Sequence, residues 1–305
     1  MGKTILITGG SGLIGRTLTR QLLQTGYTIH HLSRSDEAHG NPKIKVFKWN
    51  VNSGEIDDRC IENVDTVIHL AGEGIAEKRW TKFRKTQIIE SRTKSINLVY
   101  DLLRRTENHQ VKSVISASAV GYYGNRGDDL VNEDSAPSDD FLSQSCLLWE
   151  KAVSEGQTLG LRVVKMRIGI ILSEHGGALA EIAKPIKAGF GSALGSGNQW
   201  VSWIHIKDAA RMFVYVLENE NLQGVFNVVA PEPVTNYQLT KEVAEVLHKK
   251  LWAPKVPAFV LKLILGEMSD VVLISTKVSS EKIQQAGFSF DYPLLNQALK
   301  NIYSY

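Results

Sequence analysis

Residues 4–15 read Thr4-Ile5-Leu6-Ile7-Thr8-Gly9-Gly10-Ser11-Gly12-Leu13-Ile14-Gly15, and this stretch decides the fold. Its first five residues form a short aliphatic and β-branched run, the pattern of a strand buried on both faces. Gly9, Gly12 and Gly15 fit GxxGxxG, while Gly10, Gly12 and Gly15 fit GxGxxG. The glycines are informative because an amphipathic stretch, Leu13–Gln24, follows them, so that strand, turn and helix come in the order a dinucleotide-binding turn requires. In such a turn glycine permits the tight bend, lets the backbone approach a pyrophosphate and lets the helix pack on the strand. The helix then aims its free N–H groups and positive dipole end at the phosphates. Gly9, Gly10, Ser11, Gly12, Leu13, Ile14 and Gly15 are therefore the first candidate cofactor contacts.

Outward from this turn the same alternation continues. Thr28–Leu32, Ile44–Phe47, Thr66–Leu70, Val111–Ser116 and Arg162–Met166 are short apolar runs, with helical stretches such as Arg84–Leu103 between them. Strand–helix alternation predicts a parallel sheet with helices on both faces, and right-handed crossovers make it a doubly wound, Rossmann-type α/β fold. After Ile171 the pattern changes. Glycine is frequent from Gly176 to Gly197 around a helical stretch, Ala178–Ala188. A strand over Val201–Ile206, a helix over Lys207–Leu217 and a strand over Val225–Val228 follow, then helical stretches Tyr237–His248, Ala258–Leu265 and Leu294–Tyr303. The expected organisation is a dinucleotide-binding core over 1–172, to which 203–228 returns, and a smaller C-terminal substrate lobe built from 173–202 and 229–305.

Composition narrows the function classes. The 305 residues are 43% hydrophobic, enough for a sizeable core, and Lys plus Arg exceeds Asp plus Glu by three, 35 against 32. No basic cluster with interleaved aromatics is present, so no nucleic-acid partner is expected. The two cysteines, Cys60 and Cys146, form no CxxC and no disulfide framework. His30 and His31 are adjacent on a strand and point to opposite faces, so no metal site is expected. The N-terminus lacks the features of a signal peptide. No apolar run approaches the roughly 18 residues of a membrane span. A cytoplasmic protein without a membrane partner is the expectation.

The second strand chooses the cofactor. It ends Leu32-Ser33-Arg34, without the carboxylate that holds the ribose hydroxyls of NAD. Ser33 can donate to a 2′-phosphate and the Arg34 guanidinium can pair with it, which points to NADP(H). The alternative is a solvated Arg34 and NAD.

Further motifs carry a family resemblance. His69-Leu70-Ala71-Gly72, Ser116-Ala117-Ser118-Ala119-Val120-Gly121-Tyr122-Tyr123-Gly124, Arg167-Ile168-Gly169-Ile170-Ile171-Leu172 and Trp203-Ile204-His205-Ile206-Lys207-Asp208 resemble segments of the extended short-chain dehydrogenases/reductases. Glu73, Arg79-Trp80-Thr81, Ser91-Arg92, Gly195-Ser196-Gly197, Gln199-Trp200, Leu265-Gly266-Glu267-Met268 and Gly287-Phe288 narrow it. Together they resemble an atypical, YfcH-like branch of the NAD-dependent epimerase/dehydratase proteins, with a C-terminal segment of unknown function. The resemblance implies NADP(H), and it adds Leu70, Ala71, Gly72, Glu73, Gln87, Arg92, Ser116, Ala117, Arg167 and Ile171 to Ser33 and Arg34 as cofactor contacts. By analogy with the extended family it also implies a homodimer.

The usual chemistry of that family uses Tyr-x-x-x-Lys on the helix after the fifth strand, the Lys easing proton exchange at the Tyr hydroxyl. At that spacing stand Cys146 and Glu150. A carboxylate one turn away raises a thiol's pKa, so Cys146 reads as a packing residue rather than a nucleophile. Ser118 remains available to hold a substrate oxygen, and Tyr122 and Tyr123 are the candidate proton donors. Glu133 and Lys151 read as solvated charges and His205 as a structural residue. Arg79, Trp80 and Trp200 are the candidate substrate residues, with Arg84 and Trp203 nearby in sequence. The expected function is an NADP(H)-dependent oxidoreductase or epimerase-like enzyme on a small molecule, without the usual Tyr/Lys pair. The alternative is a non-catalytic NADP(H)-binding sensor or partner-binding protein.

Overall fold

The computed structural model of the chain describes residues 3–35 and 40–303. Eight strands form the central sheet: β1 (Thr4–Thr8), β2 (Thr28–Ser33), β3 (Ile44–Asn50), β4 (Glu55–Ile56), β5 (Val64–His69), β6 (Ser113–Ala119), β7 (Arg162–Ile168) and β8 (Gly224–Val228). Their order is β8-β7-β6-β5-β1-β2-β3-β4, parallel except for the β3–β4 pair. The chain leaves β1 in one direction to build β2 and β3, then returns to the other side for β5 through β8. The order therefore reverses beside β1, and the crevice at the carboxyl ends of β1 and β5 is where such sheets take ligands.

All five residues of β1 are buried, as are five of the six in β5, which is why these segments are rich in aliphatic and β-branched residues. Helices α1 (Leu13–Gln24), α2 (Lys82–Arg105), α3 (Phe141–Ser154), α4 (Gly177–Lys187), α5 (Ile206–Glu218), α6 (Asn236–Val246) and α7 (Ala258–Leu265) follow in chain order. Packing of α1 on α5 and of α2 on α3 covers the sheet with two helix pairs. α2 starts two residues before its expected position because the Thr81 hydroxyl accepts from the Arg84 N–H and caps it. Asp140 caps α3 and Thr235 caps α6 in the same way.

A second apolar cluster, containing Leu172, Leu179, Ile186, Trp203, Leu239 and Leu299, lies in the C-terminal half. Here the single strand expected over Val201–Ile206 divides. Trp200–Val201 pairs antiparallel with Val234–Thr235, whereas Trp203–His205 pairs parallel with Ile170–Leu172. Ser202 makes the switch: its carbonyl accepts from Ile170 N at 2.8 Å and its hydroxyl donates to Thr276 O at 2.9 Å. Trp203 consequently belongs to the second cluster while Ile204 and α5 return to the main core. The buried Asp208 carboxylate ties the tail to α5, accepting from the N–H groups of Asp291 (3.0 Å) and Tyr292 (2.8 Å) and from Arg211 (2.6 Å).

Candidate cofactor and active site

Register sets the crevice. Thr8 pairs with Leu32 on one side and with His69 on the other, which brings Gly9, Ser33 and Leu70 to one edge of the sheet. Gly9 has φ +72°, and a Cβ there would stand 2.8 Å from the Leu70 carbonyl carbon. At Gly15 a Cβ would meet Gly9 O at 2.3 Å, so the helix approaches the turn more closely than any side chain allows. Gly12 differs: a Cβ would find only Gly9 O, at 3.2 Å, and the open side faces solvent. α1 has no side-chain cap and no acidic residue in its first turn, so its leading N–H groups and positive end are left for an anion. Ser11, exposed, and Leu13 and Ile14, half-buried, flank this opening.

A buried polar chain, which the sequence reading missed, stiffens the turn from below. The Thr8 hydroxyl accepts from Leu70 N (3.2 Å) and Ala71 N (3.1 Å) and lies 2.8 Å from His69 Nδ1. With Thr8 donating to Nδ1, the His69 Nε2–H donates to Ser95 Oγ at 3.3 Å, and Ser95 donates to Arg92 O at 2.9 Å. This chain requires neutral His69, and burial lowers its pKa to about 4. The only sequence signal was a polar residue at the inner end of each of two apolar strands. His30 and His31 face apart as expected: His30 bonds Cys60 O and His31 bonds Thr19 Oγ1.

At the end of β2 the Ser33 hydroxyl accepts from Ser35 N at 3.3 Å, and Arg34 is exposed, without an ion pair among the described residues. On the other flank, Glu73 meets two arginines of α2, Arg84 in its first turn and Arg92 further along. Arg84, buried, pairs with the Glu73 carboxylate, donates to Gly74 O at 2.7 Å and approaches Gln87 Oε1 at 3.5 Å. Arg92 donates to Glu73 O (2.9 Å) and Ile88 O (2.8 Å), lies over the Trp149 ring and packs along Gly72, where a Cβ would meet its guanidinium carbon at 3.2 Å. Burial lowers the Arg92 pKa. Ser116 and Ala117 are buried in β6, and Ile171 is brought beside Leu13 across Gly177.

The place of the usual Tyr/Lys pair is occupied by a closed ionic cluster. Glu150 accepts from Arg167 Nε (2.8 Å) and Nη2 (2.9 Å) and from the Ser118 hydroxyl (2.7 Å), and all three residues are buried. Arg167 Nη1 also donates to the Tyr123 hydroxyl (3.0 Å) and to Glu133 O (3.2 Å), and its guanidinium lies 3.4 Å from the centre of the Tyr122 ring. Burial opposes the Arg167 charge, but the Glu150 carboxylate outweighs it and raises the pKa.

These contacts revise several sequence expectations. Arg167, expected at the cofactor, is fully engaged by protein groups because the residue in the Lys position is an acid that needs a partner. Ser118, expected to hold a substrate oxygen, donates its proton to Glu150. Tyr123 donates to Asn227 Oδ1 at 2.7 Å, and burial pushes its hydroxyl up to about 12. Glu133 is not simply solvated, since its carboxylate accepts from Asn227 N at 2.8 Å. Tyr122 differs from its neighbour: its hydroxyl has no protein partner among the described residues. Cys146 is buried, and burial together with Glu150 pushes its thiol up to about 12, as expected of a packing residue. His205 caps α5, its Nδ1 accepting from Lys207 N, and Lys151 is exposed.

The expected substrate residues are not drawn together. Trp80 donates to Ile75 O at 2.8 Å and packs edge-on against Phe141, and Arg79 donates to Leu263 O at 3.3 Å. Trp200 instead donates to Asp128 at 2.7 Å under the Lys277 ammonium. Trp203 is fully buried. Among the described residues no group of His, Cys, Asp or Glu could hold a metal ion, and no helix is long and apolar enough to cross a membrane.

A Rossmann-type parallel sheet with a glycine-lined turn at its switch point defines the class: a fold of the dinucleotide-binding type. Residues 5–229 match the NAD dependent epimerase/dehydratase family and residues 256–302 match a domain of unknown function, DUF1731. The chain is 38% identical over 299 residues to the epimerase family protein YfhF of Bacillus subtilis (strain 168), covering 98% of this chain and 97% of that one. The crystal structure of human epimerase family protein SDR39U1 (isoform 2) with NADPH superposes with a TM-score of 0.85 at 28% identity, covering 99% of both chains. UDP-glucose 4-epimerase of Thermus thermophilus, in complex with NAD, shares the fold with a TM-score of 0.76 at 19% identity, covering 98% of both chains. The chain belongs to the NAD dependent epimerase/dehydratase family.

Proposed function

We propose that this protein is an NADP(H)-dependent oxidoreductase or epimerase-like enzyme acting on a small molecule. The observation that carries the cofactor choice is the end of β2: Ser33 and an exposed Arg34 stand beside the glycine turn where an NAD site carries an acid. The NADPH in the human relative's structure supports the same choice. The cradle fits the group, because Gly9, Gly10 and Gly15 close the turn while Gly12 leaves it open. In this reading the first turn of α1 holds the pyrophosphate, and Ser33 and Arg34 hold the 2′-phosphate. Leu70, Ala71, Gly72, Gln87, Arg92, Ser116, Ala117 and Ile171 flank the cofactor. When bound, the dinucleotide supplies or takes a hydride.

Proton exchange then falls to Tyr122, the member of the Tyr122–Tyr123 pair whose hydroxyl has no protein partner among the described residues. Arg167 fixes its ring from one face. Ser118 and Glu150 keep Arg167 in place rather than touching substrate. A second reading, an NADP(H)-binding sensor without catalysis, is favoured by the same closed cluster of Glu150, Arg167 and Ser118.

Fluorescence titration tests the cofactor. Arg34→Asp is expected to weaken NADPH binding by roughly tenfold or more, the scale of one charge-assisted contact, and to leave NADH binding little changed. Equal loss for both sinks the 2′-phosphate assignment. Oxidation of NADPH against a panel of carbonyl compounds separates the two readings. Turnover abolished by Tyr122→Phe supports the enzyme, and tight NADPH binding without turnover of any panel member supports the sensor.

A further inference from the structure

The stretch 246–266 carries four lysines, Lys249, Lys250, Lys255 and Lys262, and no carboxylate. It also contains α7, and of that helix's eight residues only Leu261 is buried. Phe259, Leu263 and Ile264 are 71%, 78% and 61% exposed, and Trp252 ahead of the helix is 67% exposed. Phe259, Lys262 and Leu263 follow i, i+3, i+4 spacing and share one face of the helix. Lys255 is bound down, donating to Ser196 O at 2.5 Å, but the ammonium groups of Lys249, Lys250 and Lys262 have no partner among the described residues.

The helix is not loose. The Lys85–Glu267 ion pair (2.5 Å) and the hydrogen bond from Arg79 to Leu263 O (3.3 Å) fix its end to the start of α2. The result is an anchored helix with large apolar side chains outward and the unpaired Lys262 on the same face, while the unpaired Lys249 and Lys250 stand on the segment that leads to it. Such a combination marks a contact surface rather than ordinary solvated surface. A two-fold contact with a second copy would set the lysines of one protomer against those of the other. A short helix with an apolar outer face and flanking lysines matches, by contrast, the chemistry of an anionic lipid interface.

We propose that α7 and the lysine-bearing segment before it dock on an anionic lipid surface. Phe259, Leu263 and Ile264 enter the boundary between headgroups and acyl chains, and Lys249, Lys250 and Lys262 meet the headgroups. This replaces the expectation of no membrane partner, which rested on the lack of a spanning run. A peripheral contact depends on which apolar side chains the fold leaves outside, and hydropathy along the chain does not report that. The inference is independent of the cofactor reading.

Vesicle flotation with the full chain tests it, using phosphatidylcholine alone and phosphatidylcholine mixed with phosphatidylserine. The protein is expected to float with the mixed vesicles, to remain behind with phosphatidylcholine alone, and to be released by high salt. At roughly fivefold per lysine, K249E/K250E/K262E should weaken binding by well over tenfold. F259S/L263S should weaken it by at least roughly tenfold through lost apolar burial. Both variants alter exposed side chains, so an unchanged melting temperature is expected of each and serves as the folding control. Failure to float, equal flotation with both vesicle types, or wild-type flotation by either folded variant overturns the proposal. A concentration-dependent dimer in light scattering that F259S/L263S abolishes also overturns it, by giving the face to a second copy.

Discussion

Removing the Glu150 charge tests the central claim about the active-site region. In Glu150→Gln the amide oxygen can still accept from Ser118 and from Arg167 Nε, but the amide NH2 faces Arg167 Nη2, donor against donor, where the carboxylate accepted at 2.9 Å. The side chains of Arg167 and Glu150 are only 3% and 7% exposed, so water cannot take over the lost contact. Breaking one partner of such a buried pair costs about 3–5 kcal/mol. For a chain of 305 residues that corresponds to a fall in Tm of roughly 5–8 °C. Arg167→Met should cost a similar amount by stranding the carboxylate. The double variant E150Q/R167M leaves no unpaired charge and keeps an acceptor for Ser118, so it should return to within about 1–2 kcal/mol of wild type. Urea denaturation followed by circular dichroism and by tryptophan fluorescence gives all four values. If each single variant loses less than about 1 kcal/mol, or the double variant loses the sum of both, the cluster is not the closed charge pair described here.

Restoring the family's usual residues should fail for the same reason. C146Y/E150K places a lysine against Arg167, two cations in one buried space, and is expected to unfold rather than gain turnover, as thermal melts would show. Both thiols are pushed up to about 12 by burial, so Cys60 and Cys146 are protonated at neutral pH; native protein should react slowly with a disulfide reagent, and two thiols should appear on addition of guanidinium. His69 and His205 are held near 4, below the ordinary 6.5, by burial. Each contributes stability that is present above 6.5 and lost as pH falls towards 4, on the order of 3 kcal/mol per histidine. A urea midpoint that falls over this window, and falls less in His69→Gln at equal starting stability, is the expected result; a flat profile contradicts neutral buried histidines.

The sequence by itself determined the sheet and the cofactor turn, because both depend on local patterns. Ile5–Ile7 is aliphatic and Thr4 and Thr8 are β-branched since β1 is covered on both faces, and Gly9 and Gly15 are glycines since backbone lies where their Cβ atoms would go. Set against the motif that the family resemblance implies, the Cys146 and Glu150 positions likewise showed that the usual Tyr/Lys pair is missing. What replaces it was not legible, because Glu150 lies on α3, Arg167 on β7 and Ser118 on β6, and only strand pairing brings Ser118 opposite Arg167. The roles of Glu133 and Asn227 and the Thr8–His69–Ser95 chain were hidden for the same reason, being hydrogen bonds between distant segments with no spacing rule. The exposed face of α7 belongs here too. Its sequence is as apolar as a core helix, and only tertiary packing decides that Leu261 turns inward while Phe259 and Leu263 face out.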